Sequence, residues 1–427
     1  MKNFSFIHAS DLHLDSPFKG ITAQSTVIKD TLRSATFDTF NALVQLCIDK
    51  EVQFMVVAGD VYDGADRSLR AQLKFLDGLK RLSENNIRSF VAHGNHDPLT
   101  GWSSTIEWPG QVHIFGSGRV ETKIVEINGE PAVSVSGISY LKRNERHNLA
   151  RKFQAINPEL FQVGVLHCNC GGDPNHGAYA PCSLDDLTGI GFNYWALGHV
   201  HQKKILSTNP YVVYPGNPQG LNIREKGERG CYLVTVSSDG HVDLEFCPLD
   251  SVRWLSADIC IDEISSIDAL DRTIAQTTNM LAEQACGRPV ICRIFITGRG
   301  PLYNELRREP VVTGLLERSR DPGLWEDAFV WVQDIEMNCR PEVDLEKRRE
   351  INDFLGQILQ VSKEIRELVH NNKDDYQTLK DSIMPALREL YDDRRAAKVL
   401  GEVSLDELTK ILYDAELLCV DFLEATE

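Results

Sequence analysis

The sequence has no C-x-x-C pair, although it contains 11 cysteines among 427 residues. Only Cys168 and Cys170 lie close together along the chain, and the others are scattered. Scattered cysteines in odd number disfavour a disulfide framework and are typical of proteins in a reducing compartment. We therefore expect free thiols and not a secreted, disulfide-stapled fold.

Long hydrophobic runs are also absent. No segment approaches 18 uninterrupted apolar residues, so we expect no membrane span. The N-terminal segment MKNFSFIHASDLHL has a single lysine and no extended apolar stretch, unlike a secretory signal. If Asp11 and His13 act in the mature protein, as argued below, no removable signal precedes them. The sequence thus predicts a cytoplasmic protein.

Positive charge is scarce, with 45 lysines and arginines against 62 acidic residues and a net charge of −17. Residues 251–427 carry −13 of this charge, and residues 1–250 carry only −4. A simple basic nucleic-acid-binding domain is therefore disfavoured.

Short apolar runs alternate with amphipathic stretches through the first 250 residues, which is typical of an α/β sheet protein. The predicted strands are Phe4–Ala9, Gln53–Ala58, Ser89–Ala92, Val163–His167 and Tyr194–Leu197, and the predicted helices span about 30–50 and 68–84. Asn128-Gly129 and Asp239-Gly240 each separate two alternating segments, so both predict β-hairpins.

The rest of the chain follows two further patterns. Residues 251–340 alternate strands and helices and predict a small α/β module. Residues 341–427 are helical, with apolar stripes over 351–369 and 376–390 and a capping-box signature, Ser404-x-x-Glu407, before a last helix. These stripes predict packing within the protein or, as an alternative, a docking surface for helices of a partner. The predicted domains are 1–250, 251–340 and 341–427.

Five polar segments stand at or just after the ends of predicted strands, where α/β sheets bind ligands. They are Asp11-Leu-His13, Gly59-Asp60-Val-Tyr-Asp63, Gly94-Asn95-His96-Asp97, His167 and Gly198-His199-Val-His201. Residues i and i+2 of a strand point to the same side, so D-x-H and H-x-H can each aim two ligands into one pocket. Adjacent residues diverge, so one of Asn95 and His96 can hold a metal while the other faces substrate.

Carboxylate, imidazole and amide oxygen ligands together suit Mn²⁺, Fe²⁺ or Zn²⁺. Two ions about 3.5–4 Å apart need a shared ligand, and Asp60, which follows a glycine, is the natural bridge. A single D-x-H or H-x-H is common in ordinary proteins, and a single GNHD can be a polar turn. Five such segments in this order favour a metal site.

The five segments resemble the signature of the calcineurin-like metallophosphoesterases, which is D-x-H, G-D-x-x-D, G-N-H-D/E, a lone His and G-H-x-H. The resemblance covers about residues 1–220. SDLHLD at 10–15, WALGHVH at 195–201 and YPGNPQG at 214–220 are most similar to the SbcD-type DNA-repair exonuclease branch, and within it to YhaO-like proteins. The fold implied is α/β: a two-sheet sandwich with helices on both outer faces, followed by a small α/β cap and C-terminal helices.

The resemblance also implies a role for each site residue. One metal would be held by Asp11, His13, Asp60 and His201, and the other by Asp60, Asn95, His167 and His199. His96 would be the catalytic histidine, oriented by Asp97. Tyr62 and Asp63 would orient the loop after Asp60. Two divalent ions are expected, with Mn²⁺ first and Fe²⁺, Zn²⁺ or Mg²⁺ as alternatives.

Substrate contacts are predicted at two places. The glycine-rich segment 168–182 follows His167 and would bring Asn175 and His176 near the phosphate; a structured surface loop is the alternative. Lys203 and Lys204 follow the H-x-H segment and could contact a nucleic-acid backbone, although charged residues often only face solvent.

The resulting hypothesis is a two-metal-dependent phosphodiester hydrolase, a DNA exonuclease subunit in DNA repair that works with an SbcC-like coiled-coil ATPase docked on the C-terminal helices. A homodimer is an alternative assembly. The competing functions are another phosphoesterase, acting on cyclic nucleotides or small phosphodiesters, and a non-catalytic regulatory subunit of an ATPase complex. A phosphoprotein phosphatase is disfavoured because GDVYDGADRS lacks the expected Asp-Arg-Gly.

Overall fold

A computed structural model of the chain describes residues 2–21, 26–63, 68–100, 106–172, 177–321, 328–371, 377–379, 381 and 405–424. Its strands, in chain order, are β1 Phe4–Ala9, β2 Phe54–Ala58, β3 Arg88–Ala92, β4 Val112–Ile114, β5 Glu121–Ile127, β6 Glu130–Gly137, β7 Phe161–His167, β8 Tyr194–Gly198, β9 Lys204–Thr208, β10 Tyr211–Tyr214, β11 Gly230–Val236, β12 Val242–Pro248, β13 Arg253–Cys260, β14 Val290–Thr297, β15 Arg299–Gly300, β16 Val330–Met337 and β17 Arg340–Pro341. Its helices are α1 Thr26–Asp49, α2 Leu69–Glu84, α3 Asp185–Thr188, α4 Ile267–Gln284, α5 Tyr303–Leu306, α6 Glu309–Ser319, α7 Leu345–Arg349, α8 Phe354–Asn371 and α9 Leu405–Glu424. Within these ranges, no helix has the length and apolar character needed to cross a bilayer.

Two six-stranded sheets dominate the first 250 residues. The first has the order β12-β11-β1-β2-β3-β4 and the second β5-β6-β7-β8-β10-β9. The pairs β1–β2 and β2–β3 are parallel, as are β6–β7 and β7–β8. In each sheet, loops after neighbouring parallel strands therefore leave from the same edge.

The two sheets pack face to face, and most of their strands bury one face in the core between them. In β1 and β2, Phe6 and Phe54 point into this shared core, where their rings stack with centroids 4.7 Å apart. Val163 and Tyr194 of the second sheet belong to the same core. The intervening residues Ile7, Met55 and Val57 face the other way, as the two-residue period of a strand requires.

Helices cover the outer faces of the sandwich. Phe40 of α1 and Phe75 of α2 pack on the outer face of the first sheet. A side chain at Gly78 would place its Cβ 2.4 Å from the Phe40 ring, so α2 can approach α1 this closely only with glycine there. The outer face of the second sheet presents Trp195, which is covered by a 3₁₀ turn at 149–152 and by α3. The predicted α/β class and two-sheet sandwich are confirmed.

Both predicted hairpins are present. Asn128 and Gly129 have φ of 54° and 79° and join the antiparallel strands β5 and β6. Positive φ at both central positions is what a tight hairpin turn needs, and asparagine and glycine adopt it most readily. Gly240, with φ of 86°, turns the chain between β11 and β12, although Asp239 before it does not have a positive φ.

The chain divides into two compact units: residues 1–257, 272–294 and 315–336 form the first, and the second comprises 258–271, 295–314 and 337–427. In the second unit, α8 and α9 pack through Leu355, Leu359 and Val420. Most of the predicted stripe at 376–390 and the capping-box Ser404 lie outside the described residues. The three predicted domains stay a prediction.

Candidate metal centre

The predicted ligands follow the ends of central parallel strands in both sheets. The structure brings all seven to one edge of the sandwich: Asp11 and His13 after β1, Asp60 after β2, Asn95 after β3, His167 at the end of β7, and His199 and His201 after β8. Six of them are buried, and His201 is partly buried. Burying this many polar groups together is costly unless they are paired or coordinate a cation.

The loops that carry these residues have an unusual backbone. Asp11, His13 and Asp60 have φ of 53°, 43° and 52°, in the left-handed region, and His199 has φ of 103°. The main-chain N–H of Asp11 donates to Gly59 O at 2.9 Å, and that of His13 donates to Asp60 O at 3.1 Å. Asp11 and His13 thus reach one pocket, as predicted, but both have left-handed backbone angles and do not continue the extended strand that was expected.

One cluster combines Asp11, His13 and His201, whose ligand atoms all lie within 4.8 Å of one another. His13 Nε2 is 3.2 Å from His201 Nε2, and His201 Nε2 is 3.9 Å from Asp11 Oδ1. Two imidazole nitrogens at this separation cannot both present lone pairs unless a proton or a metal ion lies between or beside them.

A second cluster surrounds Asn95 Oδ1, which is 2.9 Å from His167 Nε2 and 3.1 Å from His199 Nδ1. Asp60 Oδ2 lies 3.3 Å from the same His167 nitrogen. Asp11, Asp60 and His167 also bring their ligand atoms within 4.8 Å of one another, so the two carboxylates connect the clusters.

The hydrogen bonds on the far side of each ring show that the residues fit metal ions. The His167 Nδ1–H donates to Ala58 O and the His199 Nε2–H to Gly177 O, each at 2.9 Å. The opposite nitrogens of neutral rings must then present lone pairs, yet they face the oxygens of Asn95 and Asp60. Asp60 Oδ2 is buried and accepts no main-chain or hydroxyl hydrogen bond from the described residues; its neighbour is His167 Nε2 at 3.3 Å. A cation satisfies all of these atoms at once.

Glycine is required beside the clusters. A Cβ at Gly94 would lie 2.4 Å from Asp60 Oδ1, and a Cβ at Gly59 would lie 2.3 Å from His167 Nδ1. Gly59 also has φ of 94°. The glycines of the G-D and G-N segments therefore allow the carboxylate, the imidazole and the loops to approach each other.

His96 lies beside the first cluster, with its ring centroid 5.0 Å from that of His13. Its main-chain N–H donates to Asp60 Oδ1 at 2.8 Å, and its ring Nδ1 is 2.6 Å from Asp63 Oδ1. This hydrogen bond to Asp63 raises the pKa of His96 and lowers the pKa of Asp63 to about 2. About a third of the His96 side chain is exposed, so the ring remains open to a substrate.

Asp63, and not Asp97, contacts the His96 ring, which corrects the predicted orienting role of Asp97. The fully buried Asp97 carboxylate accepts hydrogen bonds from Gly94 N at 2.7 Å, Val61 N at 2.9 Å and the His93 ring at 2.8 Å. Because adjacent side chains diverge, Asp97 turns inward and holds the loops while His96 turns outward. The spacing of G-D-x-x-D carried this signal, since it places Asp63 in the same loop as Asp60.

The residues predicted to contact the substrate are not among those that form the two clusters. Asn175 and His176 lie outside the described residues. The Lys203 ammonium sits 3.8 Å from the centre of the Phe246 ring and 3.9 Å from Glu228. Lys204 begins β9 and lines a separate cleft with Cys170 and Tyr214.

Comparison with known proteins agrees with this geometry. The family model described as calcineurin-like phosphoesterase matches residues 4–203, and that for the middle domain of metallophosphoesterase YhaO matches residues 254–340. A Bacillus subtilis (strain 168) protein named uncharacterized metallophosphoesterase YhaO is 35% identical over 346 residues, covering 81% of this chain and 84% of that protein. The chain belongs to the YhaO-type calcineurin-like metallophosphoesterases.

More distant relatives of this metallophosphoesterase are named DNA double-strand break repair protein Mre11. The Thermoplasma acidophilum protein is 26% identical over an alignment that covers 58% of this chain and 66% of that protein. The Sulfolobus acidocaldarius protein is 25% identical over an alignment that covers 74% of this chain and 79% of that protein. The family is one of phosphoester hydrolases with a dinuclear metal site, and the clusters described above supply candidate ligands for such a site.

Glu225 is a site residue that the sequence did not reveal. One of its oxygens accepts a hydrogen bond from His201 Nδ1–H at 2.7 Å, and the other accepts from Leu221 N at 2.6 Å and Asn217 Nδ2 at 3.1 Å. Although burial opposes ionisation, the hydrogen bond from His201 lowers the pKa of Glu225 to about 2. The carboxylate thus fixes the tautomer in which His201 Nε2 turns its lone pair toward the cluster with Asp11 and His13.

Replacing Glu225 with glutamine should weaken Mn²⁺ binding by about 10- to 100-fold, the usual effect of removing a partner behind a metal ligand. Three donors converge on the Glu225 carboxylate. If the glutamine NH₂ group pointed toward His201, it would force the ring into the wrong tautomer; if it pointed the other way, it would face the N–H groups of Leu221 and Asn217. Calorimetric titration of the apoprotein with Mn²⁺ measures the change. Asn217→Ala is the control, because it removes a contact to the same carboxylate without touching the His201 ring. Equal losses in both variants would contradict the tautomer role.

Proposed function

We propose that the chain is a two-metal phosphodiester hydrolase that shortens DNA from its ends and works in DNA repair with an SbcC-like ATPase. The observation that carries the catalytic part is the buried cluster around Asp60. There Asn95 Oδ1 lies 2.9 Å from His167 Nε2 and 3.1 Å from His199 Nδ1, and Asp60 Oδ2 lies 3.3 Å from His167 Nε2.

The ligands divide between the two ions according to the two clusters. Asp11, His13 and His201 would hold one ion, and Asn95, His167 and His199 the other, with Asp60 shared. Mn²⁺ is the proposed metal, because carboxylate, imidazole and amide oxygens suit it. When bound, the ions would polarise the phosphate and activate a water molecule for attack.

The protein side chains would contribute negative charge to the centre, from Asp11 and Asp60, and a proton for the leaving group, from His96. Asp11 and Asp60 supply two negative charges against four positive ones, so the loaded centre has a net charge of about +2. A phosphodiester can therefore bind although the chain as a whole is acidic. His96, which is hydrogen-bonded to Asp63, would donate a proton to the leaving oxygen.

DNA is the proposed substrate because relatives covering more than half of the chain are named for DNA double-strand break repair. The partner surface is proposed on the C-terminal helices. Both α8 and α9 keep large apolar side chains exposed, including Leu368 at 57% and Phe422 at 75%. Such a face suits the apolar stripe of a partner's helix.

A substrate panel tests the proposal. The purified protein with Mn²⁺ is offered linear duplex DNA, closed circular DNA, bis(p-nitrophenyl) phosphate, a cyclic nucleotide and p-nitrophenyl phosphate. We expect turnover of the chromogenic diester and progressive shortening of linear DNA only, with faster shortening when an SbcC-like ATPase is added. Hydrolysis of small esters alone would favour another phosphoesterase. Inactivity on every substrate would favour a regulatory subunit.

A further inference from the structure

An open cleft of about 690 Å³ lies beside the candidate metal centre. We call it the flanking cleft; its lining includes Phe18, Ile21, Lys29, Leu32, Arg33 and Asp63. It is formed by the segment that follows His13 and by the first two turns of α1. Its volume is within the range of about 300–1,000 Å³ that small-ligand sites occupy.

The flanking cleft shares a wall with the catalytic histidine. Asp63 Oδ1 contacts the His96 ring at 2.6 Å, while Asp63 Oδ2 accepts a hydrogen bond from Ser16 Oγ at 3.1 Å. Ser16 and Asp63 both line the cleft. A single carboxylate group therefore separates the cleft from His96, so the cleft is adjacent to the metal centre.

Among the lining residues that the structure describes, the charge without a recorded partner is positive. Its acidic side chains are engaged, since Asp63 holds His96 and Asp15 accepts a hydrogen bond from Ser68 and lies 3.7 Å from Arg70. Lys29 and Arg33 are exposed one turn apart on α1, and the structure records no ion pair or hydrogen bond for either with the residues it describes. In a chain with a net charge of −17, two such cations beside the active centre favour an anionic ligand.

The other part of the cleft is apolar and includes an aromatic ring. Phe18 is half-buried and stacks on Trp254, with ring centroids 6.0 Å apart and planes 18° from parallel, so its position is fixed. Ile21 and Leu32 are partly exposed beside it. Nucleobases bind to such apolar and aromatic surfaces without sequence preference.

We propose that the flanking cleft binds the nucleotide next to the scissile phosphodiester of a nucleic-acid strand. The base contacts Phe18, Ile21 and Leu32, and the outer phosphate of that nucleotide binds Lys29 and Arg33. This rests on the proposed function and extends it, because it makes the enzyme selective for polynucleotides over small diesters.

The test compares a short oligothymidylate with bis(p-nitrophenyl) phosphate, which has neither a base nor a second phosphate. In the variant with Lys29→Ala and Arg33→Ala, the ratio of kcat/KM for the oligonucleotide to kcat/KM for the small diester should fall about tenfold, through KM. The dependence of log kcat/KM on log salt should become shallower by about 0.7 for each lost phosphate contact. The matched control is Lys74→Ala with Lys80→Ala, which removes two exposed cations from α2 outside the cleft.

An unchanged ratio, or an equal fall in the control variant, would overturn the cleft assignment while leaving the proposed function intact. Failure of the wild-type enzyme on both substrates would reject the proposed function instead. In that case the affinity for fluorescent oligothymidylate, measured by anisotropy, still decides: the Lys29 and Arg33 variant must bind about tenfold more weakly than the control for the cleft to stand. Phe18→Leu should reduce the preference for a normal strand over one with an abasic nucleotide beside the scissile bond.

Discussion

The Asp60→Asn variant should lose at least one metal ion and about 10³-fold in rate. The substitution keeps the size of the side chain and the oxygen that accepts the His96 N–H. Its new NH₂ group, however, would face His167 Nε2, which lies 3.3 Å from Asp60 Oδ2, and would donate to the lone pair needed by the metal. A metal contributes several kcal/mol to phosphoryl transfer, and about 1.4 kcal/mol corresponds to tenfold in rate.

Metal content after dialysis, measured by mass spectrometry, and the rate on bis(p-nitrophenyl) phosphate report the two effects separately. Asp77→Asn is the control, because Asp77 is an exposed acid on α2 and loses the same charge. Two full equivalents of metal in the Asp60→Asn protein would refute the shared-ligand role.

Much of the fold around the site could be predicted because its strands are buried and their ends are polar. The prediction placed β1 at the same residues as the structure and began β2 one residue early. The apolar run FMVVA, which is typical of a buried strand, is followed directly by Gly59-Asp60, which is typical of a metal-binding loop. This contrast can be read from the sequence without any knowledge of tertiary contacts. The turn at Asn128-Gly129 was equally clear, since few other dipeptides adopt two successive positive φ angles.

The path of the loops could not be predicted. Asp11 and His13 were expected on an extended segment, but their backbone is left-handed. The cause is the main-chain pairing of the loop after β1 with the loop after β2, through Asp11 N to Gly59 O. This pairing joins segments almost fifty residues apart, and no local pattern encodes it.

Two carboxylates hold site histidines, and only one of them could be predicted from the sequence. Asp63 lies three residues after Asp60, so its proximity to His96 was within reach of the motif spacing. Glu225 lies 24 residues after His201 in a segment without regular structure, and the Arg229 side chain joins the two by donating to the main-chain oxygen of each. Predicted contacts at Asn175 and His176 stay predictions.

Replacing His96 with alanine should leave both metals bound and reduce turnover of DNA by about 10²- to 10⁴-fold, the range expected for loss of a positioned acid. The main-chain N–H that donates to Asp60 Oδ1 is retained in the variant, so the shared carboxylate keeps its position. The side chain that is lost contacts Asp63 and packs against the His13 ring, and of these residues only His13 belongs to the predicted ligand sets. Metal content and single-turnover rates measure the outcome.

The leaving group distinguishes an acid from a residue that only shapes the site. A p-nitrophenolate ion leaves without a proton, whereas the alkoxide released from DNA needs one. The His96→Ala protein should therefore lose much more activity on DNA than on bis(p-nitrophenyl) phosphate, and Asp63→Asn should show the same imbalance to a smaller degree, because the ring remains but is less firmly held. Equal losses on both substrates would mean that His96 orients the phosphate and does not protonate the leaving oxygen. A near-normal rate on DNA would exclude both roles.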